Sequence, residues 1–229
     1  MPLVELKNVS RHYVDPGSGQ RVKVLSHVSL TIEPGESLAI VGPSGCGKST
    51  LLNILGTLDL PDEGELWFEG KSMKELPPAS LADFRSQHLG FIFQLHHLLP
   101  QCTVLENVLM PALALKQHDA KATLARAKQL LSAVGLQDRM QWKPAQLSGG
   151  ERQRAAVVRA LINQPKLILA DEPTGALDEA NAAVLTDLLL SLQKETGVAL
   201  VLVTHHPAQA ARMSRTLSLK EGTLSSTIG

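Results

Sequence analysis

No stretch of this sequence is apolar enough to cross a membrane as a helix. No window approaches the roughly eighteen consecutive apolar residues that such a helix requires, and the first ten residues, MPLVELKNVS, lack the basic and then apolar layout of a secretory signal. We therefore expect a chain that stays in the cytoplasm and does not insert directly into a membrane.

The chain also lacks an excess of charge of either sign. Lysine and arginine together number 22, and so do aspartate and glutamate. Without a net positive field, the protein cannot hold a long polyanion by releasing its counterions. We expect no nucleic-acid partner, and any phosphate group has to be bound locally.

Cysteine is scarce as well. Cys46 and Cys102 lie far apart, without the CxxC or Cys/His spacing of a metal site, so a disulfide framework is not expected and both should be free thiols. What the chain has in quantity is apolar side chains, 44% of its 229 residues. This is a normal globular composition, sufficient for one substantial core and a smaller subdomain.

The distribution of apolar residues indicates an α/β fold. From Leu3 to about Val41, short β-rich segments are broken by turn-forming residues at 15–19 and 33–35, which predicts an antiparallel N-terminal β lobe. Unbroken apolar runs at 167–170 and 198–204 flank a helical pattern at 179–195, which predicts a mainly parallel sheet covered by helices. Sites in such sheets form beyond the carboxyl ends of the strands.

A change of composition marks a helical subdomain. Residues 95–145 are rich in alanine and leucine, and their apolar positions lie three and four apart, as in LENVLMPALALKQ and AKATLARAKQLLSAVG. We expect this segment to form a helical subdomain between two parts of one core, residues 1–94 and 146–229.

The segment from Gly42 to Ser49 fits the phosphate-loop pattern GxxxxGK[ST], and it lies between a predicted strand and a predicted helix. Glycines allow the backbone to aim N–H groups at a β-phosphate, with support from the helix dipole. Lys48 is predicted to bridge the β- and γ-phosphates, and Ser49 to bind Mg²⁺. The alternative, a structural glycine-rich turn, is disfavoured by the strand and helix on either side. The predicted ATP-binding residues here are Gly42, Pro43, Ser44, Gly45, Cys46, Gly47, Lys48, Ser49 and Thr50.

Two carboxylates follow the buried run at 167–170. Asp171 fits the role of holding Mg²⁺, through a coordinated water, and Glu172 fits that of a base or polarising group for an attacking water. A solvated turn is the alternative interpretation. The phosphate loop in the same chain favours the catalytic one.

The segment LSGGERQ, residues 147–153, discriminates most sharply among functions. Ser148 and Glu151 form the pattern of a capping box at a helix start. That structural role does not explain Gly149 and Gly150, which clear side chains from the helix entrance so that backbone N–H groups can approach an anion.

LSGGERQ resembles the signature of the ABC transporter ATPases, and the whole chain is similar to that family. Its landmarks occur in the family's order: Tyr13, Gly42–Ser49, Gln94, LSGGERQ, LILADEPTG, Ala176–Asp178 and Thr204–His205. The resemblance implies one ATPase domain over residues 1–229 with the P-loop NTPase fold, and ATP and Mg²⁺ as cofactors.

The resemblance also implies roles for residues outside the phosphate loop. Tyr13 would stack on adenine, Gln94 would sense Mg²⁺ and the attacking water, and His205 would contact the γ-phosphate. In a head-to-tail dimer, Ser148, Gly149 and Gly150 would reach the ATP bound to the second copy. Asp178 would contact the same region and couple the two sites. The ordinary alternatives are core packing for the tyrosine, a strand end for the glutamine and a strand-terminal histidine.

Two departures from the family pattern leave hydrolysis intact. His206 stands where an aspartate is common, and the loop after the two carboxylates contains GALD where asparagine is frequent at the second position. Which histidine faces the nucleotide stays open. We favour His205 because it directly follows the strand and Thr204.

Within the family, FIFQLHHLLPQCTVLENVLMPAL and AARMSRTLSLKEGTLS are most similar to the lipoprotein-releasing and macrolide-exporter group. We expect a motor subunit that pairs with a second copy in an ATP-dependent dimer. Its partners would be integral membrane transporter subunits, at the cytoplasmic face of the inner membrane, with lipoprotein release or export as the task. A regulatory subunit that signals through a membrane partner stays open as the alternative.

Two other ABC classes do not fit. Chromosome and repair ATPases insert a long coiled coil between the phosphate loop and the signature, and translation factors carry two cassettes per chain; both features are absent here. Finally, the apolar segment 95–113 is predicted to dock on a membrane partner, with Leu98, Leu99 and Pro100 exposed. The alternative is a subdomain core, because the helical spacing from Val104 onward could bury the leucines of that part.

Overall fold

The structure is a computed structural model that describes residues 1–17, 19–115 and 119–226. The chain divides into two compact units, Met1–Leu81 with Ala199–Gly229, and Ala82–Val198. The strands and α-helices in chain order are β1 (Val4–Val14), β2 (Arg21–Ile32), β3 (Ser37–Val41), α1 (Lys48–Leu55), β4 (Glu63–Phe68), β5 (Lys71–Ser72), α2 (Pro78–His88), β6 (Leu89–Phe93), α3 (Val104–Leu109), α4 (Ala120–Ala133), α5 (Gly149–Leu161), β7 (Leu167–Asp171), α6 (Glu179–Thr196), β8 (Ala199–Val203), α7 (Pro207–Ala210), β9 (Arg215–Lys220) and β10 (Thr223–Ser226).

The first unit contains the predicted N-terminal lobe. Its sheet has the order β2-β1-β4-β5, and every pair in it is antiparallel. Apolar side chains of β1 and β2 are buried on one face while polar ones face water, as expected of an antiparallel sheet covered on one side. Ser18, within the predicted turn at 15–19, lies outside the described residues.

The same unit holds part of the predicted parallel sheet. Strand β3 pairs in parallel with both β8 and β9, and β10 is antiparallel to β9. All five residues of β8 are buried. Helix α1 buries four apolar side chains in this unit: Leu51, Leu52, Ile54 and Leu55. The end of β3 at Val41 therefore leads the chain directly from a buried strand into the phosphate loop.

The second unit pairs β6 in parallel with β7 and packs α5 against β6. Helix α5 carries an apolar run, Ala155–Val158, that is fully buried, and α3, α4 and α6 pack against it. The helix predicted at the second half of 95–145 is present as α4, which Asp119 caps by accepting from two backbone N–H groups. The boundaries of the helical subdomain, 95–145, stay a prediction.

The first helix predicted in that segment is shorter than expected. Helix α3 ends at Leu109, and the chain continues as a 3₁₀ helix from Met110 to Ala114. The prediction of one amphipathic helix overlooked Pro111, whose ring lacks an N–H group and clashes with the preceding helical turn. Lys116 and Gln117, the end of that predicted helix, lie outside the described residues, as does His118.

Within the described ranges, no helix combines the length and the apolar character that crossing a membrane would need.

Candidate functional site

The phosphate loop of the first unit connects β3 to α1. Lys48 is the first residue of α1 and is buried, and its Nζ donates to the carbonyl oxygens of Gly42 at 2.9 Å and Pro43 at 2.8 Å. Gly47 has φ 103°, and a Cβ there would lie 2.8 Å from the carbonyl oxygen of Val24. Only glycine is therefore free of strain at this position.

The start of α1 suits an anion. Among the described residues, no side chain caps this helix, which begins after Gly47. The backbone N–H groups of a first helical turn have no intrahelical partner, and the positive end of the helix dipole lies at the same place. With the Lys48 ammonium folded against the loop, the arrangement fits the phosphates of a nucleotide.

Tyr13 lies in β1, and its side chain is directed by polar contacts. The residue is 38% exposed, its hydroxyl donates to the Asp59 carboxylate at 2.7 Å, and the Arg11 guanidinium lies 4.9 Å from the ring centroid. Arg11 also pairs with Asp59 at 2.9 Å and Asp62 at 2.6 Å. This exposure contradicts the core-packing alternative, while adenine stacking stays a prediction.

The two histidines after β8 lie together. Their ring centroids are 4.0 Å apart. The His206 N–H donates to Thr204 Oγ1 at 3.0 Å, and His206 is the N-cap residue of α7. His205 and Gly42 line one cavity of about 560 Å³. This cavity is lined mainly by residues 207–216 and, of the phosphate loop, by Gly42, so which histidine faces the nucleotide stays a prediction.

In the second unit, Gln94 and the two carboxylates leave neighbouring strands at the same edge. Phe93 is paired with Asp171 in the parallel register of β6 and β7, so Gln94 and Glu172 both follow that pair. Gln94 Nε2 lies only 2.8 Å from the point where a Cβ on Gly175 would stand. The structure thus places the Gln94 side chain against the loop that follows Glu172.

Glu172 has an unusual backbone. Its φ of 46° is in the left-handed region, which a non-glycine residue adopts at a cost of about 1–3 kcal/mol. Such conformations concentrate at functional sites, where the surrounding structure maintains them. The side chain is half-buried, directly after the end of β7.

The signature forms the start of α5. Ser148 Oγ accepts from the Glu151 N–H at 3.2 Å, and Glu151 Oε2 accepts from the Ser148 N–H at 2.8 Å, so the predicted capping box is present. The bond from the Ser148 N–H, followed by that from its hydroxyl, keeps the pKa of Glu151 below its ordinary value. Ser148 itself is exposed and Gly149 and Gly150 are half-buried, so they are accessible to a partner.

Asp178 lies close to the signature glycines. It caps α6 by accepting from the Asn181 N–H at 2.8 Å, and chiefly this bond keeps the pKa of Asp178 below its ordinary value. Asn181 Oδ1 in turn lies 3.3 Å from the point where a Cβ on Gly150 would stand. The four residues predicted to act on a second copy, Ser148, Gly149, Gly150 and Asp178, therefore occupy one region of the second unit.

The segment after Gln94 corrects one prediction. Leu98 was expected to be exposed, but its side chain is only 7% accessible, and its N–H donates to His96 Nδ1 at 3.3 Å. Leu98 is therefore part of the buried apolar core. Leu99 and Pro100 are exposed as predicted, and Leu95 and Leu113, with 65% and 69% exposure, are the most accessible leucines of the segment.

Sequence patterns did not identify two polar residues of α5 that hold this segment. Gln153 and Arg159 donate to backbone carbonyls of the chain on either side of Gln94. Burial, and after it the positive charges of Arg152 and Arg159, lower the pKa of His96, which favours the neutral ring that accepts from Leu98. No local pattern marks such contacts, because the donor and acceptor lie about sixty residues apart.

Comparison with known proteins identifies the family. A family model described as ABC transporter matches residues 25–175. This chain belongs to the ABC transporter family, and it is the ATP-binding and ATP-hydrolysing motor subunit of such a transporter.

Its relatives and structural neighbours cover nearly the whole chain. The lipoprotein-releasing system ATP-binding protein LolD of Shewanella frigidimarina is 50% identical over 222 residues, which is 97% of this chain and 92% of the relative. LolD of Syntrophus aciditrophicus is 46% identical over 220 residues, 96% of this chain and 97% of the relative. The structure of the ATP-binding cassette MJ0796 in a dimeric post-hydrolysis state, bound to ADP and Pi, superposes with a TM-score of 0.87 at 39% identity and covers 99% of both chains. A second dimeric MJ0796 structure gives a TM-score of 0.88 at 38% identity, again over 99% of both chains.

These findings confirm the predicted P-loop NTPase fold, the ATPase activity and the resemblance to the lipoprotein-releasing group. They agree with the predicted partnership with membrane subunits and a second copy of the chain.

Proposed function

We propose that this chain is the ATPase that drives release of lipoproteins from the inner membrane, working at the cytoplasmic face on integral membrane subunits. The observation that carries the proposal is the 46–50% identity, over 96–97% of the chain, to proteins named for lipoprotein release. The alternative of a regulatory subunit has no comparable support from these relatives.

The phosphate loop and its neighbours would bind the nucleotide. Residues Gly42 to Thr50 would surround the phosphates, with the Lys48 ammonium turning from its two loop carbonyls toward the β- and γ-phosphates. Tyr13 would stack on adenine, its ring held in place by the bond to Asp59. His205, beside Gly42, would contact the γ-phosphate.

Mg²⁺ would be held by Ser49, Gln94 and Asp171. All three carry oxygen donors, the ligand type that this hard cation prefers, and the paired register of Phe93 with Asp171 brings the strand ends of the last two side by side. Bound there, the ion would neutralise charge on the β- and γ-phosphate oxygens. Glu172, next along the chain, would polarise the attacking water, and Gln94 would help to position that water.

Two copies would complete each other's sites. Ser148, Gly149 and Gly150 present an exposed hydroxyl and the N-terminal N–H groups of the 13-residue helix α5, a suitable surface for the γ-phosphate bound to a second copy. Asp178 lies beside them and would couple the two sites. The dimeric form of the MJ0796 cassette supports the pairing of two copies.

Reconstitution tests the function. The chain would be purified with the membrane protein that accompanies it, inserted into proteoliposomes that carry an acylated protein, and assayed for ATP-dependent release of that protein to a soluble acceptor. Release is expected with the unaltered chain and not with the Glu172→Gln variant. ATP hydrolysis without any ATP-dependent release would instead support the regulatory alternative.

A further prediction concerns the docking surface, defined here as Leu95, Leu99 and Leu113. These leucines lie in the predicted docking segment and are exposed, although leucine gains free energy by burial. Changing Leu95 and Leu99 together to serine is expected to leave the ATPase activity of the isolated subunit intact and to abolish co-purification with the membrane protein.

The matched control is Leu124→Ser, which removes an exposed leucine of α4 outside this surface. It should leave the complex intact. A stable complex with the double variant, or an unfolded double variant, would show that these leucines do not face the partner.

A further inference from the structure

Side chains of helix α5 donate hydrogen bonds to the backbone on both sides of Gln94. Before it, Gln153 Nε2 donates to the carbonyl oxygen of Phe93 at 2.8 Å. After it, Arg159 donates from Nη2 to the carbonyl oxygen of His96 at 2.8 Å and from Nη1 to that of His97 at 2.6 Å. Gln94 is thereby bracketed by three hydrogen bonds from one helix.

The burial and charge of the donors make these hydrogen bonds strong. Gln153 is 3% exposed, so a lost partner would leave a buried amide without its hydrogen bond. Arg159 uses its planar fork to hold two successive carbonyls, and bonds from a charged donor are stronger than neutral ones. His97 has φ 47°, and the Phe93 ring lies edge-on against its ring at 5.3 Å, so the chain folds back tightly around Gln94.

The far end of the segment is fixed to a different helix. Asn107 of α3 is 1% exposed. Its Oδ1 accepts from the Leu99 N–H at 2.6 Å, and its Nδ2 donates to carbonyls of Leu99, Cys102 and Thr103 at 3.1, 3.2 and 2.9 Å. The chain after Gln94 is therefore an ordered connector, able to follow the helices that hold it.

Helix α5 also begins with the signature. Its 13 residues span about 20 Å at 1.5 Å per residue, with Ser148 and the two glycines at one end and Arg159 in the last turn. An α-helix of this length moves as a rigid element, and rigid elements with hydrogen-bonded contacts can transmit a displacement. A shift at the signature end would thus displace the backbone around Gln94.

We propose that Arg159 is a positioning residue for Gln94, and that α5 couples the signature to Gln94 through Arg159 and Gln153. This inference rests on the proposed roles of Gln94 in hydrolysis and of Ser148 at a second copy's nucleotide. Arg159 does not touch the reacting atoms. It affects turnover by holding Gln94 in position.

A double-mutant cycle between Arg159 and Gln94 tests the proposal in the complex purified with its membrane subunits. Arg159→Met keeps the length of the side chain and removes the fork. It is expected to lower kcat about tenfold to a hundredfold, the scale of a misplaced catalytic group, with the KM for ATP nearly unchanged. In the Gln94→Ala background the same change should have no further effect, since nothing is left to position. Arg159→Lys, a single cationic donor, should recover part of kcat.

The matched control is Arg126→Met. Arg126 of α4 is also a partly buried arginine. It donates at 3.3 Å to the backbone carbonyl of Leu161, the last residue of α5. Its hydrogen bond in the described part of the chain goes to Leu161 and not to the segment around Gln94. Its loss should leave kcat unchanged, with thermal unfolding followed for every variant.

The possible outcomes distinguish a failure of the positioning role of Arg159 from a failure of the proposed role of Gln94 in hydrolysis. Independent, additive losses from Arg159→Met and Gln94→Ala, or an equal loss from Arg126→Met, would overturn the positioning role while leaving Gln94 catalytic. Normal turnover of Gln94→Ala would overturn the proposed role of Gln94 and the positioning role with it. If Arg159→Met fails to fold, the same cycle with Arg159→Lys decides.

Discussion

Glu172→Gln is expected to bind ATP normally and to hydrolyse it at least a hundredfold more slowly. The substitution keeps the shape of a half-buried side chain directly after β7 and removes the negative charge that polarises water. General-base groups contribute about 10²- to 10⁴-fold to rate, so loss of the charge should lower kcat by a comparable factor. Phosphate release measures turnover, and titration with a fluorescent nucleotide measures binding.

A second consequence of Glu172→Gln is accumulation of ATP-bound dimer, because closure would proceed and hydrolysis would not follow. Size-exclusion chromatography with ATP should show the dimer for this variant. Glu195→Gln is the matched control, since it removes an exposed carboxylate near the end of α6 and should behave as the unaltered chain does. Near-normal turnover in Glu172→Gln would remove Glu172 from the catalytic role.

Lys48→Ala is expected to weaken ATP binding by a single subunit roughly ten- to a hundredfold. Hydrogen bonds to charged groups contribute about 1.5–3 kcal/mol, and each 1.4 kcal/mol is tenfold in affinity. The change also removes the two bonds by which the ammonium holds the loop carbonyls of Gly42 and Pro43. Isothermal titration of the isolated subunit with ATP measures the loss.

Ser148→Arg should produce the opposite pattern, with monomer binding intact and dimer formation blocked. Ser148 is exposed at the N-cap of α5, so arginine would add bulk against the nucleotide of the second copy. Because the change also removes a helix cap, at a cost of about 1 kcal/mol, Ser148→Ala serves as control for the cap alone. Loss of ATP binding by the isolated Ser148→Arg subunit would show that the shared-interface arrangement is wrong.

The structural features that the sequence predicted well are local. The phosphate loop combines a strand, a glycine-rich turn and a helix start within a few residues, and the capping box joins Ser148 to Glu151 within one helical turn. Such interactions depend on neighbours in the chain, so residue type and spacing specify them. Strands β7 and β8 were likewise indicated by unbroken apolar runs, because both faces of such strands are buried.

Local patterns failed where the outcome depended on packing. Leu98 was expected to be exposed because it lies outside the helical spacing of the next segment, but it is buried, with 7% exposure. The helix expected through Pro111 ends at Leu109, where the chain changes to a 3₁₀ helix. The carbonyl oxygen of Pro111 accepts a hydrogen bond from the side chain of Asn163 at 3.0 Å. Each result reflects packing or a backbone constraint that the periodicity of apolar residues does not register.

The sequence by itself determined the class of chemistry, because phosphate binding and water activation require particular side chains at short, recognisable spacings. Only the tertiary structure decided how Gln94 is held. The bonds from Gln153 and Arg159 end on backbone carbonyls about sixty residues earlier in the chain. Every residue has a carbonyl group, so an acceptor of this kind leaves no trace in residue type, and its donor becomes visible only once folding has brought α5 against β6.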